Sequence, residues 1–243
     1  EIISYFEARN KIINKNHSHN ALLLELKDKI PEKTIDKLGG CLAVGEVIAE
    51  GNFKEIEKTL SNKILYYGTE NKLNYVLWNF SSEFFEYISI YLKRRFKEER
   101  LKASMKPMRG LMSMQSGEHV EIVPSNSAIQ EQYFIFGNKG EDYFGRIVQK
   151  YNAKEIEKRD MGKPVRREEL AISPRLAKII VNLSQVQEGE TLIDPFCGIG
   201  VVLQEALLNG IKVVGVDINQ EAINGARKNL EFMKFQTKDW KLL

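Results

Sequence analysis

The feature that most constrains this chain lies between residues 191 and 230. A short strand, Thr191 to Ile193, leads into the turn Asp194-Pro195-Phe196-Cys197-Gly198-Ile199-Gly200, and Val201 to Leu208 follows as a helix ended by Gly210. A second run, Lys212 to Val216, closes at Asp217, after which Asn219 caps a segment carrying Ile223, Ala226 and Leu230 at helical spacing. Strand, helix, strand, helix at this spacing is a βαβ unit, and its sheet has to be parallel. Glycines in the first turn let the backbone approach a ligand closely, and the next helix offers its N-terminus to an anionic group. An acid ending the second strand accepts hydrogen bonds from both hydroxyls of a ribose. Asp194 and Asp217 are therefore expected to hold a nucleoside-containing cofactor.

Ahead of this unit, Ser173 reads as an N-cap with Pro174 at the first helical position, followed by Leu176, Ile179, Ile180 and Leu183 at i, i+3, i+4 and i+7. Residues 1–150 alternate helical and extended patterns. Ile2, Ile3, Phe6 and Ile13 suit an amphipathic helix; Ala21 to Leu26, Cys41 to Ala49 and Lys72 to Phe80 read as strands; Thr34 to Leu38 is a brief helix stopped by Gly39-Gly40. Asn52 caps a helix with Phe53, Ile56 and Leu60, and Ser81-Ser82 opens a longer one with Phe84, Phe85, Ile88, Leu92 and Phe96. Gln132 to Phe136 and Tyr143 to Val148 suit a hairpin around Gly137 to Gly140. Interleaved elements with short connections predict a small α+β sandwich of ferredoxin-like type. Residues 151–170, dense in both charges and containing Gly162 and Pro164, read as a linker, which leaves 171–243 to the α/β unit.

The balance of 36 Lys+Arg against 33 Asp+Glu excludes a polycation and an acidic disordered chain alike, so any nucleic-acid role has to rest on local patches. With only Cys41 and Cys197, a disulfide framework and a four-cysteine zinc site are both excluded, and a reducing, cytoplasmic setting is expected. No apolar run approaches the roughly 20 residues that span a bilayer, so no membrane association is expected. Asn16, His17 and His19 have no acidic or cysteine partner at ligand spacing, and no metal is expected.

The dinucleotide fingerprint wants a third glycine where Leu203 stands, and the turn begins instead with an acid, a proline and a cysteine. NAD is disfavoured. The turn resembles motif I of class I S-adenosylmethionine-dependent methyltransferases, and its Asp-Pro-Phe-Cys-Gly form looks like the group that methylates exocyclic amines of nucleic acids. Arg159-Asp160-Met161-Gly162-Lys163-Pro164, then Ser173-Pro174-Arg175-Leu176-Ala177 and Asn182-Leu183, are similar to the linker and first helix of tRNA guanine-N2 methyltransferases of the archaeal guanine-10 type. The resemblance implies a ferredoxin-like and THUMP-like RNA-binding region over 1–150 and a Rossmann-like methyltransferase domain after it. It implies S-adenosyl-L-methionine as cofactor, tRNA as partner and Pro174, Asp194, Pro195, Phe196, Cys197, Gly198, Gly200, Asp217 and Ile218 as cofactor-binding residues. It implies that Asp217 is the one that binds the ribose. Val201 departs from the Thr often found there, which removes a hydroxyl contact and leaves the backbone role.

Lys93, Arg94, Arg95, Lys97, Arg100, Lys102, Lys106 and Arg109 stand against Glu98 and Glu99 in one run. On charge alone this is equally a solvated helix face with cations near its C-terminus and an RNA-phosphate patch; the resemblance points to RNA. Cys197, with no base or pKa-lowering partner near it in sequence, reads as a small residue inside the turn. The family also uses an Asp/Asn-Pro-Pro-aromatic loop to accept hydrogens from the target amine. None of the 6 prolines here is adjacent to another, so no catalytic residue is assigned and a C-terminally truncated domain is expected. A DNA amino-methyltransferase and a non-catalytic RNA-binding scaffold stay open as alternatives.

Overall fold

The computed structural model describes residues 1–18, 20–106, 111–113, 119–121, 129–138, 140–166 and 172–243. The chain divides into two compact units, one of residues 15–24 and 44–148, the other of residues 1–14, 25–43 and 149–243. In chain order the elements are α1 (Ile2–Glu7), β1 (Ile12–Ser18), β2 (Ala21–Leu26), a 3-10 turn (Thr34–Lys37), β3 (Ala43–Gly51), α2 (Phe53–Ser61), β4 (Lys72–Phe80), α3 (Phe85–Glu98), β5 (Lys102–Met105), β6 (Leu111–Ser113), β7 (His119–Glu121), β8 (Glu131–Asn138), β9 (Glu141–Lys150), α4 (Ala153–Gly162), α5 (Pro174–Leu183), β10 (Thr191–Asp194), α6 (Val201–Leu208), β11 (Lys212–Gly215), α7 (Gln220–Phe232) and β12 (Trp240–Leu242).

The unit of 44–148 is built on a mixed five-stranded sheet in the order β3-β9-β8-β4-β5. β4 runs parallel to β5 and to β8, while β8 and β9 form the antiparallel hairpin expected around residues 137–140. Period-two alternation splits the side chains of β4 and β8 between two faces. Leu73, Tyr75, Leu77, Tyr133 and Ile135 join Ile56, Leu60, Ile88, Leu92 and Phe96 of α2 and α3 in the main core. Phe134 and Phe136 pack on the other face with Leu23, Trp78 and Phe80. Asn52 caps α2 in a capping box with Glu55, a local signal strong enough to set the helix start. β6 and β7 pair antiparallel as a separate two-stranded ribbon.

The second unit carries a three-stranded, wholly parallel sheet in the order β10-β11-β12, with Thr191 opposite Lys212 and Val213 opposite Trp240. Leu192 and Val213 meet Val181, Leu203, Ala206, Ile223 and Leu230 of α5, α6 and α7 in its core. Among the described residues no helix is long and apolar enough to cross a membrane.

Three sequence expectations differ from the structure. Ile13 does not continue the first helix but lies in β1, 57% exposed, because α1 ends at Glu7 in a turn through Asn10 at φ 50°. The segment read as a linker contains α4, capped by the Asn152 side chain, and its charges are spent partly on ion pairs. Finally, residues 1–14 and 25–43 cluster with 149–243 instead of with the elements that follow them, a division that composition along the chain does not mark.

Candidate functional site

The turn between β10 and α6 and the end of β11 meet where parallel strands deliver them side by side: Asp194 pairs with Gly215, Val216 N donates to Asp194 O at 2.9 Å, and Cys197 N donates to Val216 O at 2.9 Å. Ligands of open parallel sheets bind at this carboxyl end of the strands. Gly198 and Gly200 hold φ of 52° and 82°, the left-handed region that glycine enters without a side-chain clash. A Cβ on Gly198 would meet nothing within 4 Å, so the turn opens onto space at that point, whereas one on Gly200 would stand 3.3 Å from Ala226 Cβ.

The two acids do different work. Asp194 Oδ1 accepts from Phe196 N at 3.0 Å and so shapes its own turn. Asp217 Oδ2 accepts from Gly198 N at 2.8 Å and its Oδ1 from Asn219 N at 2.8 Å, which joins the two strand ends through one carboxylate. An ionised carboxylate has about four lone-pair sites, and each oxygen here spends one on a backbone N–H. The turn also exposes apolar surface: Phe196 is 87% exposed and Ile218, next to Asp217, is fully exposed. Pro195 is exposed as well.

Cys197 is buried beneath the turn, packed so tightly that a Cβ on Gly215 would come within 3.0 Å of its sulfur. Burial, and then the charges of Asp194 and Asp217, push its thiol up to about 11. It is a protonated packing residue at neutral pH, which agrees with its expected role as a small group inside the turn. Pro174 is buried at the start of α5, the Ser173 side chain accepts from Leu176 N at 3.2 Å, and Ala177 one turn on packs against Ile199 of the glycine turn and Val201 of α6.

Two features of this unit escaped the sequence reading. Glu205, 2% exposed, is ion-paired with Arg159 of α4 at 3.1 Å and with Lys178 of α5 at 3.6 Å, while Lys178 Nζ also donates to Asp36 O at 2.5 Å. Burial lowers the Lys178 pKa, with the Glu205 charge opposing the shift. A single charged residue in the run Val201 to Leu208 was the signal available. The second is Asn229, wholly buried on α7 and bonded to Val165 and Ile199; its place three residues after Ala226 and seven after Ala222, on the face of Ile223 and Leu230, was the signal available.

In the other unit, α3 separates the basic run. Lys93, Lys97, Arg100 and Lys102 are exposed; Arg94, exposed as well, is ion-paired with Glu57 at 2.5 Å, and the part-buried Arg95 with Glu99 at 2.8 Å. Lys106 is half-buried, and Arg109 lies outside the described residues, as do His19 and Arg167.

Residues 164–239 match the family described as RMKL-like, methyltransferase domain. The chain is 49% identical over 61 residues to the tRNA (guanine(10)-N2)-dimethyltransferase of Methanothermobacter thermautotrophicus, an alignment covering 25% of this chain and 18% of that protein. It is 34% identical over 90 residues to the enzyme of the same description from Pyrococcus abyssi, covering 37% of this chain and 27% of that one. The chain thus spans only a minor part of the length of these curated relatives. The crystal structure of TrmN from Thermus thermophilus superposes with a TM-score of 0.50 over 91% of this chain and 62% of that one, at 12% identity, a likeness of fold alone.

Proposed function

We propose, taking residues 164–239 as a segment of a methyltransferase domain of the RMKL-like family, that the protein transfers methyl groups from S-adenosyl-L-methionine to the exocyclic N2 amine of a tRNA guanosine. The observation that carries the reading is the Asp217 carboxylate, fixed by two backbone N–H groups beside an open, left-handed glycine turn.

The residues fit the cofactor. Asp217 keeps one further lone pair on each oxygen for the two hydroxyls of a ribose. The space in front of Gly198 receives the methionine portion, and Phe196 and Ile218 provide exposed apolar surfaces for the uncharged parts. Pro174, Asp194, Pro195, Cys197 and Gly200 act by holding this frame. The cofactor, once bound, supplies an electrophilic methyl on a sulfonium. The guanine amine is a weak nucleophile because its lone pair is delocalised into the ring, so catalysis has to come from orientation and from an acceptor for its hydrogens. No residue of these 243 is assigned that acceptor role.

The region before residue 150 is read as the THUMP-like, RNA-binding part, with Lys93, Lys97, Arg100 and Lys102 as its phosphate contacts and the cytoplasm as the compartment of its substrate. The relatives' descriptions favour tRNA over DNA as acceptor. The test is calorimetric titration of the protein with S-adenosylmethionine, together with mass spectrometry of nucleosides from unmodified tRNA treated with it. Methylguanosine formed on tRNA and not on duplex DNA is the expected result. Absence of cofactor binding overturns the reading.

A further inference from the structure

Two residues one helical turn apart on α7, Gly225 and Asn229, face the same place, where residue 165 crosses the helix beside the glycine turn. The Asn229 amide Nδ2 donates to Ile199 O at 3.0 Å and to Val165 O at 3.1 Å, and its Oδ1 accepts from Val165 N at 3.0 Å. Both amide hydrogens and the carbonyl are therefore engaged, all three bonds go to backbone, and the side chain is 0% exposed. Gly225 completes the arrangement from below. A Cβ there would stand 3.1 Å from Val165 Cγ1 and 3.2 Å from Ile199 Cγ2, so the close approach depends on the missing side chain. Glycine inside a helix is unfavourable relative to alanine, and here the packing supplies the reason for it.

Ile199 is the residue between Gly198 and Gly200, the two left-handed glycines, and its carbonyl also takes a longer bond of 3.4 Å from Gln204 Nε2. That carbonyl shares its peptide plane with the Gly200 N–H, which donates to Cys197 O at 2.8 Å, and the Cys197 carbonyl in turn shares its plane with the Gly198 N–H that binds Asp217. We propose that Asn229 is a positioning residue: seated through Gly225 against residue 165, it braces the glycine turn in the shape that receives the cofactor. This rests on the reading of that turn as the S-adenosylmethionine site.

The experiment compares wild type, Gly225→Ala and Asn229→Leu in this chain. Gly225→Ala keeps every hydrogen-bonding group and favours the helix, so its melting temperature stays at or above that of wild type. The added methyl displaces Val165 and Ile199 by a few tenths of an ångström, and the dissociation constant for S-adenosylmethionine rises about fivefold or more. A merely structural glycine would leave affinity and stability moving together. In cofactor-free protein the Val165 amide exchanges with solvent at least about tenfold faster in Asn229→Leu than in wild type, while the amides of β10 and β11 keep their protection. Unchanged Val165 exchange overturns the brace whatever the cofactor is. Wild-type affinity in Gly225→Ala overturns the link from brace to turn. If wild type itself binds no S-adenosylmethionine while Val165 exchange responds as stated, the cofactor reading fails and the brace stands on its own.

Discussion

Asp217 Oδ2 and Gly198 N, 19 residues apart in sequence, are joined by a hydrogen bond of 2.8 Å that ties the end of one strand to the turn after its neighbour. The carboxylate is held by the protein before any ligand arrives, so its loss has two effects, release of the turn and removal of the group proposed to accept from the ribose. Asp217→Ala is expected to weaken S-adenosylmethionine binding by about 10- to 100-fold, the worth of charge-assisted hydrogen bonds, in calorimetry. Its affinity for tRNA stays that of wild type, because the exposed cations of α3 belong to the other unit.

Breaking the buried charge cluster is expected to cost stability. Glu205→Ala leaves Lys178, 3% exposed, without its carboxylate, and urea unfolding should show a loss of about 3–5 kcal/mol. Lys178→Met combined with Glu205→Leu removes both charges and should cost much less than the sum of the single changes. Full additivity in that cycle would contradict the pairing.

In the basic run of α3, Arg94 and Arg95 are held in ion pairs, Arg94 at the surface, while Lys93 and Lys97 are exposed. Lys93→Ala and Lys97→Ala should each weaken tRNA binding and reduce the slope of log affinity against log salt by about 1. Arg94→Ala and Arg95→Ala, whose charges already face Glu57 and Glu99, should change both quantities less. Equal effects at all four positions would remove the distinction, and filter binding across a salt series measures it.

Stability should fall at alkaline pH in a way that reports the buried thiols. Burial pushes Cys197 and Cys41 each to about 11, from an ordinary value near 9. Since the folded state holds these protons more tightly, the stabilisation is complete below pH 9 and is lost as pH rises toward 11. Cys197→Ala should flatten part of that decline in chemical unfolding midpoints measured from pH 8 to 11. At pH 8 the native Cys197 should resist alkylation by iodoacetamide, and fast labelling would contradict its burial.

Gly200→Ala places a side chain at φ 82° and within 3.3 Å of Ala226 Cβ, and should destabilise the protein by about 1–2 kcal/mol in urea titration. Gly198→Ala meets no atom within 4 Å, so only the backbone cost applies, and its larger effect should be on cofactor affinity, because the methyl enters the open space in front of the turn.

Much of this protein was legible before folding was considered. The parallel unit followed from apolar runs at strand and helix length, and the N-caps at Asn52, Ser173 and Asn219 from side chains that bond the first turn. These are local signals, carried by residues that are neighbours in sequence. The partition of α1 and residues 25–43, the burial of Glu205 and Lys178, and the embrace of Val165 by Asn229 were not. Each depends on a contact between distant segments, where a charged or amide side chain that reads as surface is stable inside only because the partner that satisfies it arrives from elsewhere in the chain. The sequence by itself determined the periodicity, the turn chemistry and the two acids at the strand ends. Tertiary structure decided which polar groups are buried and what each is bonded to, because the free energy of a buried polar group is set by its partner and not by its own type.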